Sequence, residues 1–333
     1  NTNKAYNNFN IGRPRLAVSV TDNEISKKCT YNGNCLFGCQ NNSIFNSKYY
    51  IQELVKKNNF KIIFSHFVNQ IISKPDYNEV ISNKDTFYGK KVIVASGTIS
   101  STKIIHKSLN IKKRIKFFSS PSAGFALYRP SFSRENFSEK KYFGLSQLAF
   151  SISKEKENFF GAIFDPKSLP ISKFASYLPF SFKNNFIFSR HFLKNSLLGN
   201  IFFNGTYSNH YLEFNDSYSK VNISGNYSNE IFSNIKYIRS NIIKNFLKLG
   251  FFYVPTSLKM STPGSDSHYS GTVNISHKYI LGNCDKECKM YGLNNVYVVD
   301  GAVLNYLSEK SHTLTLMANA MRVTSNSIKN NYL

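Results

Sequence analysis

The sequence predicts an α/β (α+β) protein in which strand–helix segments from both ends of the chain share one domain and an antiparallel sheet is inserted between them. Two apolar strand-like runs, Lys91 to Ser96 and Asn295 to Asp300, stand far apart in the chain, and the first leads through Gly97 into a helical pattern from Thr98. From about Ile111 to Met260 the periodicity switches to short alternating runs bounded by Asn, Ser, Gly and Pro, the pattern of antiparallel strands. The expected segments are therefore 1–110, 111–260 and 261–333, with the outer two joined in one domain.

Taken in order, Tyr50, Ile51, Leu54 and Val55 recur at helical spacing between a Ser47 cap and the polar run Lys56 to Asn59. Phe60 to Val68 reads as a strand, Phe87 to Lys90 as a turn, and Lys91 to Ser96 as a buried strand that Gly97 bends into the following helix. The middle segment shows strands at Phe143 to Ser153, Phe159 to Asp165, Gly199 to Asn204 and His210 to Phe214. Ser228 caps a helix lined by Ile231, Ile235, Ile238, Ile242 and Phe246, and Gly250 closes it. In the last segment Asn295 to Asp300 is a buried strand, and the helix after His312 sets Leu314, Met317, Ala318 and Met321 on one face.

Composition narrows the class. With 333 residues, 41% hydrophobic and 15% aromatic, the chain has material for a sizeable core. Its apolar runs are broken by Ser, Asn or Lys well before they span a bilayer, and no signal-peptide pattern opens it, so a cytoplasmic protein without a transmembrane segment is expected. The net charge of +23 invites a nucleic-acid reading. Lys, however, is spread along the chain among abundant Asn, Ile, Phe and Tyr, as an AT-rich genome would produce, and no reader motif accompanies it, so no nucleic-acid partner is expected. Five cysteines argue against a complete disulfide framework. Cys29, Cys35 and Cys39, and the pair Cys284 and Cys288, can be read as metal ligands, since closely spaced thiolates suit zinc or an iron–sulfur cluster. Neither group has the Cys-x-x-Cys knuckle, and the first has no ligand His nearby. Reduced structural thiols, and no metal, are the expectation.

The chemistry-bearing residues are His268 in Ser267-His268-Tyr269-Ser270-Gly271-Thr272 and His312 in Ser311-His312-Thr313. A neutral imidazole suits removal of a hydroxyl proton because its pKa lies near neutrality. A single His is more often a hydrogen-bonded core or surface residue than a catalyst, so the surrounding blocks decide. Those blocks, in order, are Val92 to Ile105, His268-x-x-Gly271-Thr272, Val298-Val299-Asp300-Gly301-Ala302 and His312. Together they resemble the C-terminal part of the glucose-methanol-choline oxidoreductases, while the middle of the chain shows little likeness.

The resemblance implies a partial FAD-binding Rossmann-like domain with an inserted antiparallel-sheet substrate-binding domain, and oxidation of a small alcohol, sugar or polyol with hydride passing to flavin N5. It implies His268 as base or acceptor for the substrate hydroxyl and His312 as its orienting partner. It also implies that Val68 presents its backbone to the adenine and that Ala95, Ser96 and Gly97 run beside the FAD. Asp300, Gly301 and Ala302 meet the ribityl-pyrophosphate part, and Thr313 opens a helix whose N–H groups face the flavin's pyrimidine end. Read without the resemblance, Asp300 is equally a helix cap and the bend at Gly97 a tight connection. His66, His106, His191, His210 and His277 have no such context and read as structural or exposed.

The segment Cys29 to Cys39 resembles a Cys- and Gly-rich loop of some bacterial and fungal members, where its role is structural. Two departures stand out: Thr313 replaces a frequent Pro, and Val273 to Ser276 replaces a Met-Gly-rich continuation. The family's opening Gly-x-Gly-x-x-Gly turn, which holds the FAD pyrophosphate at a helix N-terminus, does not occur, and Asn1-Thr2-Asn3 includes no start Met. The chain is therefore expected to be the C-terminal portion of a longer enzyme, with the missing FAD-binding segment as its partner. The competing readings are a non-catalytic fragment and a basic polysaccharide- or nucleic-acid-binding protein with Lys and Tyr clustered on one surface.

Overall fold

The computed structural model describes residues 4–6, 8–130, 143–166, 172, 175–176, 179 and 181–329. The fold is mixed α+β with several antiparallel sheets. It divides into two compact units, one made of Asn1–Ile62, Ser122–Ile201 and Phe232–Met260, the other of Ile63–Pro121, Phe202–Ile231 and Ser261–Leu333. The division differs from the expected 1–110, 111–260 and 261–333, because residues 1–62 join the unit of the large sheet, while 111–121 and 202–231, expected in the inserted sheet, fall in the second unit. Phe9 and Ile11 are buried, Asn8 and Asn10 exposed, and the buried pair stands opposite Ile152 and Phe150.

The first unit is built on an eight-stranded sheet of β1 (Lys4–Tyr6), β2 (Phe9–Gly12), β8 (Ser122–Tyr128), β9 (Leu148–Lys154), β10 (Glu157–Phe164), β11 (Ser196–Phe202), β14 (Phe252–Tyr253) and β15 (Lys259–Met260). Its order is β1-β2-β9-β10-β11-β8-β14, with β15 also on β8. Phe9, Phe125 and Phe150 pack around Phe246 with ring centroids 5.6–6.3 Å apart, the spacing that edge and tilted aromatic contacts favour. Phe246 comes from a helix (Glu230–Leu247) whose Ile238 and Ile242 are also fully buried, as its period predicts. Gly250, at φ +81, ends that helix: Gly250 N–H donates to Leu247 and Phe251 N–H to Phe246, the double bond of a Schellman turn. An earlier helix in this unit, Ser47–Leu54, is capped by Asn46, whose side chain accepts from Lys48 N–H, and not by Ser47. Its apolar residues Tyr50, Ile51, Leu54 and Val55 are exposed.

The second unit holds β3 (Val68–Ser73), β4 (Asn78–Ser82) and β5 (Thr86–Gly89) in one antiparallel sheet. The strand expected over 60–68 is shifted: Ser65 takes φ +60, Phe64 and Phe67 are exposed, and pairing starts only at Val68. The turn expected at Phe87 to Lys90 is instead part of β5, where Phe87 faces Val80 and Tyr88 faces Glu79. The chain reverses at 83–85, where Ser82 Oγ donates to Asp85 O and accepts from its N–H. The strands β6 (Val92–Val94) and β17 (Val296–Val298) pair in parallel, Val94 opposite Val298. A third sheet runs β13 (Val221–Tyr227), β12 (Ser208–Phe214), β7 (Ile115–Ser119), β16 (Tyr269–Ser270). The core of Val94, Ile104, Ile105, Val296, Val298, Ala302 and Val323 lies under the helices Thr98–Ser108 and Thr313–Lys329. The second of these enters that core through Val323, with Ser327 also buried one turn on. Leu314, Met317, Ala318 and Met321, expected on one face of it, are exposed. No helix among the described residues is long and apolar enough to cross a membrane.

His106, in the helix Thr98–Ser108, is 1% exposed and its Nδ1 has no partner, so burial lowers its pKa from 6.5 to about 4. The unfolded chain takes up this proton near pH 6.5 and the folded chain only near pH 4, so stability is full above 6.5 and drains as pH falls toward 4. The loss amounts to about 3 kcal/mol. His106→Leu should remove that share of the acid sensitivity, which urea unfolding at neutral pH and near pH 4 would read; an unchanged loss in the variant would assign it to other groups.

Candidate active site

The carboxyl ends of β6 and β17 lie side by side, where parallel strands present ligand sites. Beyond β6, Ala95, Ser96 and Gly97 are exposed, and Gly97 has φ +86 with open space where a Cβ would stand. Glycine is therefore needed there for its backbone angle, not for room. The helix Thr98–Ser108 follows with no side chain capping its first turn, which leaves its leading amides to another acceptor. Beyond β17, the Asp300 carboxylate ties the two strand ends together. Its Oδ2 accepts from Gly97 N–H at 2.8 Å and from the Ser101 hydroxyl, and its Oδ1 accepts from Ala302 N–H at 3.0 Å. Asp300 is thus a cap and a cross-link, and its acceptors are already engaged.

The His268 block is docked on this junction. Gly271 N–H donates to Gly301 O at 3.2 Å, and the amides of Thr272 and Val273 both donate to Ala302 O. Gly271 has φ +80, and a Cβ there would lie 2.7 Å from the Phe118 ring, so both angle and space demand glycine. Thr272, 4% exposed, accepts from the Thr102 hydroxyl, and the Thr98 hydroxyl donates to Tyr269 O at 2.9 Å.

His268 and His312 come together. Their ring centroids are 4.9 Å apart and nearly perpendicular, and the His268 ring also packs on Phe202. His268 O accepts from Ser120 N–H, and His312 O accepts from Leu316 N–H in the first turn of the helix Thr313–Lys329. Burial lowers the pKa of His268, opposed by the charge of Asp266; burial and then the neighbouring His268 lower that of His312. Both imidazoles are therefore neutral near pH 7, which leaves a lone pair for a hydroxyl proton. His312 Nδ1 is buried with no hydrogen-bond partner.

The other expected contacts fall unevenly. Val68 is half-buried at the start of β3, opposite Ser82 and packed on the core, so it faces neighbours already present. Gly301 and Ala302 are buried and the Ala302 amide is taken by Asp300, which removes it as a donor to a ligand. Thr313 is exposed at its helix start, where the first turn carries no acidic residue. Reading by blocks gave no role to Thr98, Ser101 and Thr102, although three small polar residues at i, i+3 and i+4 on the helix face that also carries Ile105 were a visible signal. It also missed Asp266, which is 6% exposed. Cys29, Cys35 and Cys39 are free thiols whose sulfurs accept from the amides of Tyr31, Gly144 and Ser43.

Residues 255–320 match the C-terminal family model described as GMC oxidoreductase. That span contains both histidines and the strand between them. Among solved structures, the chain is similar to the pyridoxine 4-oxidase from Mesorbium loti, with TM-score 0.56 and 11% identity over 84% of this chain and 60% of that one. The likeness is one of fold. The chain spans about 60% of the length of that structure. No curated protein sequence matches it.

Proposed function

From the match of residues 255–320 to the C-terminal GMC oxidoreductase model and the likeness of fold, we propose that the chain is a GMC oxidoreductase, the catalytic portion of an FAD-dependent enzyme acting on the CH–OH group of a small alcohol, sugar or polyol. The observation that carries the reading is the convergence of His268 and His312, 4.9 Å apart, in the unit that also joins the carboxyl ends of β6 and β17. His268, half-buried and neutral, takes the substrate hydroxyl proton, and His312 holds the hydroxyl from the side.

Two features fit FAD as the bound group. The helix after the exposed Ala95 to Gly97 bend has an uncapped first turn, and His312 Nδ1 is a buried polar atom waiting for a partner. Bound there, FAD supplies the acceptor for the hydride that leaves the carbinol carbon. Ala95, Ser96 and Gly97 would hold it by backbone, the start of the helix at Thr313 would face its electron-rich end through the helix dipole, and Asp300 would act through Gly97 and Ser101.

A preceding dinucleotide-binding segment belongs to the proposal. Ile93 is 46% exposed, and among the described residues no strand pairs with the edge of β6 away from β17, whereas parallel sheets are normally covered. The 333-residue chain alone is expected to purify with little or no FAD, because the turn that donates amides to the pyrophosphate is not in its sequence. Joined to a Gly-x-Gly-x-x-Gly segment, it should be yellow and be reduced by an alcohol, sugar or polyol in the absence of oxygen. Stoichiometric FAD in the shorter chain would refute the division of labour. A flavin in the longer protein that none of these substrates reduces would refute the substrate class.

A further inference from the structure

We propose that Asp266 is a positioning residue for His268: a buried carboxylate that clamps the loop 261–268 onto the sheet β13-β12-β7-β16 and presents its charge to the imidazole two residues on. The inference rests on the reading of His268 as the base.

Asp266 is 6% exposed and is the one buried carboxylate among the described residues. Its partners are hydroxyls, not a Lys or Arg. Ser119 Oγ donates to Oδ2 at 2.6 Å, Tyr227 OH donates to Oδ1 at 2.9 Å, and Ser261 Oγ approaches Oδ1 at 3.5 Å. The Tyr269 hydroxyl donates to Asp266 O. Three strands and the loop itself therefore converge on one residue. A buried carboxylate without a cation partner costs several kcal/mol in desolvation even when hydrogen-bonded, so stability alone is a poor reason for it.

Proton accounting fixes the direction of the network. The Ser119 hydroxyl has one proton and gives it to Asp266, so at the 2.8 Å contact with His210 Nδ1 the histidine must be the donor. His210, 3% exposed, is then the Nδ1–H tautomer, with Nε2 a buried nitrogen that has no partner. Burial lowers the His210 pKa, which keeps it neutral. Every proton in the chain His210, Ser119, Asp266 points at the carboxylate, and so does that of Tyr227, whose pKa burial raises above its ordinary range. The remaining titratable groups near His268 are Tyr269 on β16, with its pKa also raised by burial, and His312 ahead of the last helix. Among the groups acting on the His268 charge, Asp266 alone favours its protonation, against the larger opposing effect of burial.

Asp266→Asn tests this with little change of shape. An amide nitrogen facing Ser119 would donate to it, the Ser119 proton would turn to His210 Nδ1, and His210 would become the Nε2–H tautomer. The expected result, read by nitrogen-15 NMR of histidine-labelled full chain with His268→Gln for assignment, is that His268 titrates at lower pH in Asp266→Asn and that His210 switches tautomer. Tyr227→Phe, which removes one donor and leaves the carboxylate charge less shared, should move His268 the opposite way, and it serves alone if Asp266→Asn does not fold. A His268 titration unmoved in a folded Asp266→Asn chain, or unmoved in Tyr227→Phe, would overturn the proposal. Neither measurement needs flavin or substrate, so its failure is separate from failure of the proposed oxidation.

Discussion

In the flavin-loaded enzyme, His268→Ala should lower turnover by about 10²- to 10⁴-fold, the usual loss for a positioned acid–base group, with the visible flavin spectrum unchanged. The spectrum should hold because His268 sits just ahead of β16 with its ring against His312 and Phe202, while the Asp300 cross-link that joins the strand ends is made by other residues. His312→Ala should cost less, since in this reading it orients the hydroxyl without receiving the proton. Because burial lowers the pKa of both rings, the acid limb of kcat/KM should fall below 6.5, the ordinary value for histidine. Stopped-flow flavin reduction across pH reads both quantities. A His268→Ala enzyme reducing its flavin at the wild-type rate would remove this residue from the mechanism.

How much of this was legible in the sequence depended on the range of the information needed. The helix over Glu230–Leu247 was readable because Ile238, Ile242 and Phe246 repeat with the helical period and Gly250 supplies the left-handed stop, all within one stretch of chain. The strands near 148–154, 157–164 and 208–214 were readable from alternation for the same reason. Which sheet each would join was not: β12 pairs with β7 and β13, while β9 and β10 pair with each other and β9 with the N-terminal β2. Alternation marks a face but does not name its partner. The last helix shows the same limit, since Leu314, Met317 and Met321 form an apolar stripe as good as the one that is buried, and only tertiary packing chose Val323. At the site, His268, Gly271 and Thr272 were legible as a compact block. Asp266 was not, because its meaning comes from Ser119 and Tyr227, residues 147 and 39 positions away.

Asp300→Ala should be among the most destabilising single changes in the second unit, by about 2–5 kcal/mol, because it strands donors instead of merely deleting a contact. Ser101 Oγ and Ala302 N–H belong to residues that are 0% exposed, so neither can turn to water when the carboxylate is gone. Gly97 N–H is exposed and can be rehydrated, which limits its share of the loss. Asp300→Asn should fall between the wild type and Asp300→Ala: its remaining oxygen can still accept from Ala302, but its amide nitrogen would meet Gly97 N–H, donor against donor. The effect should also be local before it is global. Amide exchange should quicken at Gly97 and Ala302 while the β9–β10 hairpin of the other unit stays protected. Urea unfolding followed by circular dichroism, with hydrogen exchange read residue by residue, measures both. A wild-type midpoint for Asp300→Ala would show that the strand ends are held by packing and not by this carboxylate, and Asp300 would then have to be reconsidered as a residue kept for a ligand.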